Sequence, residues 1–360
     1  MYFFQEEKKY TVTNYLSPSA TAFTPPLLLP DSVMSTHDPT HGLKIGLALG
    51  SGSARGLAHI GAIQELRQIG LKPAVVCGTS IGALVGAAYV CGHLDELEKW
   101  FLQMSTRDVF HYMEVRPISS RGGVGRAGRL IEYLREHYGS PLIESLPISF
   151  AAVGTDLASG RELWMQNGDI WDAVRGSIAI PALLSPARIG GRWVVDGGLV
   201  NPVPVSVCRA LGADIIIAIN LNDDVGGRQQ ARIARQTQLR RHRTAEARAE
   251  SGLLDRLTNG LKDMAPPMIA QWLEADQKNT PEDDTPGIFS VVTNSINIMQ
   301  DRITRSRLAG EPADVLVTPR LAQMGLLDFD AAEPAIAEGR NAVRRALPLI
   351  RFALGLEPNV

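Results

Sequence analysis

Residues 78–82 read Gly-Thr-Ser-Ile-Gly, a pattern that can expose a reactive serine on a sharp turn. An apolar run, 73–77, comes directly before it, and a helix-forming run follows. In this setting Gly78 and Gly82 allow the backbone to turn tightly, and the positive end of the helix points at Ser80. Because Gly-x-Ser-x-Gly also arises by chance, the strand–turn–helix setting carries the prediction. We therefore expect Ser80 to be a nucleophile that forms a covalent acyl ester.

A second turn rich in small residues, 50–56, follows the short apolar strand 44–49. Such a turn exposes successive backbone amides beside the positive end of a helix, which suits the oxyanion formed in ester hydrolysis. The predicted oxyanion-hole residues are Gly50, Gly52, Ser53, Ala54, Arg55 and Gly56. Glycine-rich turns also bind nucleotides, but Gly-x-Gly-x-x-Gly fails at Arg55 and the chain has no Gly-Lys-Ser/Thr. A nucleotide site is therefore disfavoured.

The identity of the base separates two kinds of serine hydrolase. The usual α/β-hydrolase order is serine, then acid, then histidine. After Asp196 the only histidine is His242, which lies in an arginine-rich stretch and is poorly suited to be a precisely held base. Asp196 ends a short predicted strand and precedes Gly197 and Gly198, which let another part of the chain approach closely. On its own Asp-Gly-Gly more often marks a hairpin turn, but it also offers a carboxylate that can take the Ser80 proton directly.

The order of apolar runs predicts the elements that must position these residues. Strand and helix patterns alternate from residue 43 onward, and the β-branched run 214–219 is typical of a parallel strand that is buried on both faces. This alternation predicts an α/β fold with helices on both faces of a sheet. The predicted strands are 44–49, 74–77, 148–153, 161–165, 192–195, 214–219 and 314–317, and the predicted helices are 57–68, 80–91, 94–103, 128–137, 169–178, 288–308 and 331–347.

Composition narrows the class of protein. Of 360 residues, 45% are apolar and 21% are charged, which is ordinary for a globular protein with a large core. The net charge of -2 gives no general attraction to nucleic acid, so no nucleic-acid partner is expected. Three cysteines and seven scattered histidines form no ligand pattern, so we expect no metal and no cofactor. An odd number of cysteines in a chain without a signal peptide or a membrane-spanning run predicts a cytoplasmic protein.

Four regions are predicted along the chain. Residues 1–42 form a flexible N-terminal arm, 43–220 the catalytic core, 221–287 a polar, arginine-rich insertion or linker with amphipathic helices, and 288–360 a helical segment that packs on the core. The stretch 226–250 has seven arginines and two acidic residues. A solvated helix or linker is the simpler interpretation, and peripheral contact with an anionic membrane at the inner face is the functional one. The arginines predicted to make that contact are Arg228, Arg232, Arg235, Arg240, Arg241 and Arg243.

Four segments, in this order and at this spacing, give the chain a resemblance to a known family. They are 50–56 (Gly-Ser-Gly-Ser-Ala-Arg-Gly), 78–82 (Gly-Thr-Ser-Ile-Gly), 177–181 (Ser-Ile-Ala-Ile-Pro) and 196–202 (Asp-Gly-Gly-Leu-Val-Asn-Pro). Over roughly residues 43–220 the chain resembles the patatin-like phospholipases, most closely their bacterial branch related to neuropathy target esterase. The C-terminal segments 295–300 (Ser-Ile-Asn-Ile-Met-Gln) and 302–305 (Arg-Ile-Thr-Arg) also look like that branch.

The resemblance implies a three-layer α/β/α fold with a mostly parallel central sheet. It further implies a lipid acyl hydrolase with a Ser–Asp dyad and no histidine or metal, in which Ser80 is the nucleophile and Asp196 the general base. Backbone amides of residues 52–55 are then the oxyanion hole. The family's loop usually carries a run of four glycines, whereas this chain has Ser51 and Ser53 at two of those positions. Serine has a conformational cost at positive φ that glycine does not have.

The prediction is therefore a serine esterase of the phospholipase or lysophospholipase type that acts on a lipid ester. One alternative is a catalytically weak or inactive protein of the same fold that binds lipid or a regulatory partner. It is motivated by the two loop serines and the long polar insertion. A nucleotide-binding protein built on loop 50–56 is a third hypothesis. Acyl length and oligomeric state depend on pocket and surface shape, which no motif encodes.

Overall fold

The computed structural model describes residues 42–114, 123–223 and 288–356. The predicted N-terminal arm, except for its last residue, lies outside these ranges, and so does the predicted insertion from residue 224 onward. The membrane contact predicted for the arginines of 226–250 therefore stays a prediction, and so do the region boundaries. Within the described residues no helix is both long and apolar enough to cross a bilayer.

The described part of the chain contains ten strands and nine α-helices. The strands are β1 (Ile45–Leu49), β2 (Val75–Thr79), β3 (Gly123–Gly125), β4 (Ser149–Asp156), β5 (Glu162–Met165), β6 (Ala182–Leu184), β7 (Ala187–Ile189), β8 (Arg192–Asp196), β9 (Ile215–Ile219) and β10 (Val315–Val317). The helices are α1 (Ala58–Gln68), α2 (Ile81–Val90), α3 (Leu94–Leu102), α4 (Thr106–Met113), α5 (Gly128–Tyr138), α6 (Ile170–Ser177), α7 (Val205–Ala210), α8 (Ile288–Gly310) and α9 (Ala332–Ala353).

The central sheet has eight strands in the order β10-β9-β1-β2-β4-β8-β7, with β5 paired to β4. The five strands from β10 to β4 are parallel to their neighbours, whereas β5, β8 and β7 are joined antiparallel. Strands β3 and β6 form a separate parallel pair. The predicted α/β/α fold with a mostly parallel sheet is confirmed.

The two faces of the sheet bury different clusters, as the alternation of side chains along a strand requires. Leu47 and Leu49 of β1 lie in a large cluster with α1, α2 and α9, while Ala48 lies in a second cluster with Val207 and Cys208 of α7. A strand that is buried on both faces reads as one continuous apolar run, which is why β1 and β9 could be recognised in the sequence.

Helix α9 extends further than predicted. The sequence predicts an end at about residue 347, one residue before Pro348, which has no backbone N–H to donate to the preceding turn. The helix instead continues to Ala353 with Pro348 inside it. Its last turns stay packed, since Ile350 and Leu354 are both buried. Burial of these two side chains offsets the missing backbone hydrogen bond.

Candidate active site

Ser80 lies on a sharp turn between β2 and α2, as predicted. Its φ is +57°, a value that non-glycine residues rarely adopt. A Cβ atom on Gly82 would lie 2.2 Å from the carbonyl oxygen of Leu49, and one on Gly78 would lie 2.4 Å from the amide nitrogen of Ala83. Both glycines are therefore required by the close approach of backbone to backbone, and together they present Ser80 at the carboxyl end of the sheet.

The register of β4 brings Ser80 and Asp196 together. Strand β2 pairs with β4 up to Thr79, which lies opposite Val153, and β8 pairs with the next residue, Gly154, through Asp196. Strand β5 pairs with the opposite edge of β4 at these positions. Strands β2 and β8 therefore lie end to end along the same edge of β4. The residue after Thr79 therefore lies beside Asp196. The Ser80 hydroxyl donates a hydrogen bond of 2.5 Å to the carboxylate of Asp196.

Burial governs the acidity of Asp196, which is 2% exposed. Loss of hydration raises its pKa from 3.8 to about 6, although the hydrogen bonds from Ser80 and the Gly198 amide act in the opposite direction. The Gly198 amide donates to Oδ1 at 2.7 Å, so Oδ2 faces Ser80. At neutral pH the group is mostly a carboxylate, yet it is basic enough to accept a proton from a hydroxyl.

Ser177 holds the backbone of Ser80, a role that the sequence did not reveal. The Ser80 amide donates to the Ser177 hydroxyl at 2.8 Å, and that hydroxyl donates to the carbonyl of Val153 at 2.5 Å. Ser177 is wholly buried at the end of α6. The family resemblance includes this serine as the first residue of 177–181, but only the folded arrangement indicates what it contacts.

Most backbone amides of loop 50–56 already donate a hydrogen bond within the protein. The amide of Gly50 donates to Ile219, that of Ala54 to Leu326, and that of Arg55 to Gly52. Within the part of the chain that the structure describes, the amides of Gly52 and Ser53 have no such acceptor. Of the predicted oxyanion-hole residues, these two therefore keep a free backbone donor, and Ser53 lines the same pocket as Ser80.

The two serines of the loop differ in conformation. Ser53 has φ +51°, so the expected conformational cost applies to it. Its hydroxyl donates to the carbonyl of Leu326 at 2.6 Å, which offsets that cost. Ser51 is not among the residues with positive φ, so serine is not penalised there. Gly56 is required by packing, because a Cβ atom on it would lie 2.1 Å from the side chain of Ile81 at the start of α2.

Two basic side chains are buried behind the loop. Arg55 is 2% exposed and donates through Nη2 to the side-chain oxygen of Asn297 at 2.9 Å. Burial lowers its pKa to about 10, so it remains a cation at neutral pH. His59 donates through Nε2 to the carbonyl of Gly50 at 2.7 Å, and burial lowers its pKa to about 4. This neutral histidine therefore holds the start of the loop through Gly50.

An apolar pocket opens beside Ser80, and together with the solvent at its mouth it spans about 650 Å³. Helices α2, α3, α4 and α5, the segment 178–184 and the C-terminal residues Leu327 and Phe329 supply most of its walls. None of the lining residues carries a formal charge. The lining includes Leu84, Met104, Val109, Leu130, Ile180 and Leu184. Such a pocket suits a hydrocarbon chain. Among the described residues, no cluster of three or more His, Cys, Asp or Glu side chains is arranged to hold a metal ion.

Comparison with known proteins places these features in context. A family model described as "Patatin-like phospholipase" matches residues 47–209. An uncharacterized NTE family protein of Mycobacterium tuberculosis is 34% identical over 330 residues, which covers 84% of this chain and 91% of that protein. A second NTE family protein of that organism is 28% identical and covers 85% of this chain and 47% of that protein. Lysophospholipase NTE1 of Pyricularia oryzae is 34% identical over 51% of this chain and 13% of that protein.

Proposed function

Since the chain belongs to the patatin-like phospholipase family, and to the NTE family within it, we propose that it is a serine hydrolase of lipid acyl esters. Ser80 is the nucleophile and Asp196 the general base of a two-residue catalytic site. The observation that carries the proposal is the 2.5 Å hydrogen bond from the Ser80 hydroxyl to a buried carboxylate. The turn that presents Ser80 then acts as a nucleophile elbow.

In the acylation step, Ser80 Oγ attacks the ester carbonyl carbon while its proton passes to Asp196 Oδ2. The carbonyl electron pair moves onto oxygen, and the amides of Gly52 and Ser53 donate to that oxyanion. Collapse of the intermediate breaks the bond to the alcohol oxygen, which takes the proton from Asp196. The acyl group remains on Ser80 as an ester.

The deacylation step repeats this proton transfer with water. Asp196 removes a proton from a water molecule as the water oxygen attacks the acyl carbonyl. The bond to Ser80 Oγ then breaks, and the serine recovers its proton from Asp196. A base with a pKa of about 6 is suited to both transfers near neutral pH, because it is ionised before each attack and protonated before each departure.

The pocket supports a lipid rather than a polar ester as substrate. Its uncharged walls can bury the acyl chain, whereas a charged headgroup has no partner among the lining residues and must remain outside. A phospholipid or a lysophospholipid fits this division, with the ester carbonyl at Ser80 and the chain in the pocket.

The direct test is hydrolysis of p-nitrophenyl esters from C4 to C16, and of a lysophospholipid, by the wild type and by Ser80→Ala. We expect the variant to lose at least about a thousandfold in kcat, since the covalent route is removed. Ser145→Ala is the matched control, because Ser145 is exposed and its hydroxyl donates to the nearby carbonyl of Leu142. A phosphonate that labels Ser80, identified by mass spectrometry, supplies an independent readout.

Equal rates in the wild type and Ser80→Ala would refute the role of Ser80. A wild type that neither turns over any of these esters nor reacts with the phosphonate would favour the lipid-binding alternative.

A further inference from the structure

Helix α8 carries the C-terminal segments 295–300 and 302–305, whose role the proposed mechanism leaves open. Gln300 of this helix is 8% exposed and meets loop 50–56. Its side-chain oxygen accepts from the Ser51 hydroxyl at 3.0 Å and from the side-chain amide of Asn222 at 3.3 Å. Asn222 in turn donates to the carbonyl of Ser51 at 3.3 Å. The side chains of Ser51, Asn222 and Gln300, together with the Ser51 carbonyl, form a closed, buried hydrogen-bond cluster.

A second contact from the same helix lies one turn earlier. Asn297 Oδ1 accepts from Arg55 Nη2 at 2.9 Å, and Arg55 Nε donates to the carbonyl of Gly52 at 3.3 Å. The helix therefore holds the loop at Ser51 and at Arg55. These positions flank the two residues whose amides lack an acceptor in the described structure.

Gln300 also touches the turn that contains the general base. A Cβ atom on Gly198 would lie 2.4 Å from Gln300 Nε2, so the side-chain amide packs directly on that glycine. The Gly198 amide is the donor that fixes Oδ1 of Asp196. Gln300 thus lies between the oxyanion loop and the Asp196 turn, and it is not among the residues that line the pocket.

We propose that Gln300 and Asn297 are positioning residues that fix the oxyanion loop, and that Ser51 and Arg55 are the groups in the loop on which they act. This inference rests on the proposed ester hydrolase function. A loop of small residues has little side-chain packing of its own, whereas an oxyanion donor must be held within about 0.5 Å of its productive position. Hydrogen bonds to a long helix supply that restraint.

The same contacts explain why the family's glycine can be replaced at position 51. Ser51 has an ordinary φ, so it loses nothing by carrying a side chain, and its buried hydroxyl needs a partner. Gln300 provides that partner. The serine thus gives the loop an additional hydrogen bond. Its acceptor is Gln300, which lies 249 positions later in the chain.

The test is a double-mutant cycle of Ser51→Ala and Gln300→Leu, with kcat and KM measured on the best p-nitrophenyl ester. We expect each single variant to lower kcat by about tenfold, consistent with a misplaced oxyanion donor, while KM changes less than about twofold. Because both variants break the same hydrogen bond, from Ser51 to Gln300, the double variant should lose no more kcat than the worse single variant. The lower limb of the pH–rate profile should keep its midpoint, since Asp196 is retained.

Asn294→Leu is the matched control, because Asn294 is an exposed polar residue of the same helix. Thermal unfolding of every variant separates loss of folding from loss of positioning, and Ser51→Ala keeps the test decisive should Gln300→Leu fail to fold. Unchanged kcat in folded Ser51→Ala and Gln300→Leu, or losses that multiply in the double variant, would overturn the positioning role alone. Absence of Ser80-dependent turnover in the wild type would overturn the proposed function and this inference with it.

Discussion

Replacing Asp196 by asparagine should abolish turnover and, at the same time, stabilise the protein. The change conserves shape, because the amide oxygen can still accept from Gly198 and the amide nitrogen can approach the Ser80 hydroxyl. What it removes is the proposed base and a charge that is buried in the core. Most substitutions of a buried, hydrogen-bonded group destabilise a protein, so the expected gain is diagnostic.

The size of the gain follows from the pKa of Asp196. Burial raises it from 3.8 to about 6, a difference of roughly two units, and each unit corresponds to about 1.4 kcal/mol. The folded protein binds this proton more tightly than the unfolded chain, so the free energy of unfolding falls as the pH rises from about 4 to 6. Above that range the folded wild type carries the whole free-energy cost of burying the ionised carboxylate. Asp196→Asn does not, and it should be more stable by about 3 kcal/mol at pH 8.

Urea unfolding at pH 4, 6 and 8 measures this difference, and the gap between variant and wild type should close toward pH 4. Asp95→Asn is the control, because Asp95 is exposed and makes a surface ion pair with Arg67. It should change stability by less than about 1 kcal/mol. In the wild type, kcat/KM should fall tenfold per pH unit below about 6. A variant that is less stable than the wild type at pH 8, or a gap that does not vary with pH, would show that burial does not raise this pKa.

Two further predictions concern positioning and packing. Ser177→Ala removes the acceptor of the Ser80 amide, so kcat should fall about tenfold or more while KM is little changed, and unaltered kcat in steady-state assays would contradict that role. Gly339→Ala should lower the free energy of unfolding by about 2 kcal/mol or more, because a Cβ atom there would lie 1.9 Å from the Ala58 carbonyl and force α9 away from α1. Gly310→Ala, at the end of α8 with open space around it, is the control in the same thermal and urea unfolding measurements.

The sequence predicted the scaffold well because its central strands are buried on both faces. A continuous apolar run that is rich in β-branched residues, such as 215–219, strongly favours a strand. The sequence Gly-Thr-Ser-Ile-Gly between a strand and a helix marks the turn at Ser80. Helix α4 was missed, although its capping box was visible: Ser105 and Asp108 bond each other's backbone at its start.

What the sequence could not supply is register between distant strands. Ser80 and Asp196 each follow recognisable strands, yet their contact depends on β2 ending opposite Val153 and β8 beginning its pairing at Gly154. A shift of one residue would turn the Asp196 side chain to the other face of the sheet. The family resemblance paired the two residues, and the register explains why they meet. Ser177 was likewise placed in a motif without a role, because one of its partners lies on the turn after β2 and the other in β4.

The loop serines show how a departure from a family pattern is best judged. Viewed along the sequence, serine for glycine at 51 and 53 suggests a loss of precision, which motivated the alternative of an inactive protein. In the folded chain each hydroxyl is bonded, Ser51 to Gln300 and Ser53 to the carbonyl of Leu326. Both partners lie in the C-terminal region beyond residue 288. A weakened loop would leave these buried hydroxyls unpaired, at a cost of about 1–3 kcal/mol each. The observed pairing instead indicates a loop whose shape depends on the C-terminal region, so the substitutions are evidence for an organised site.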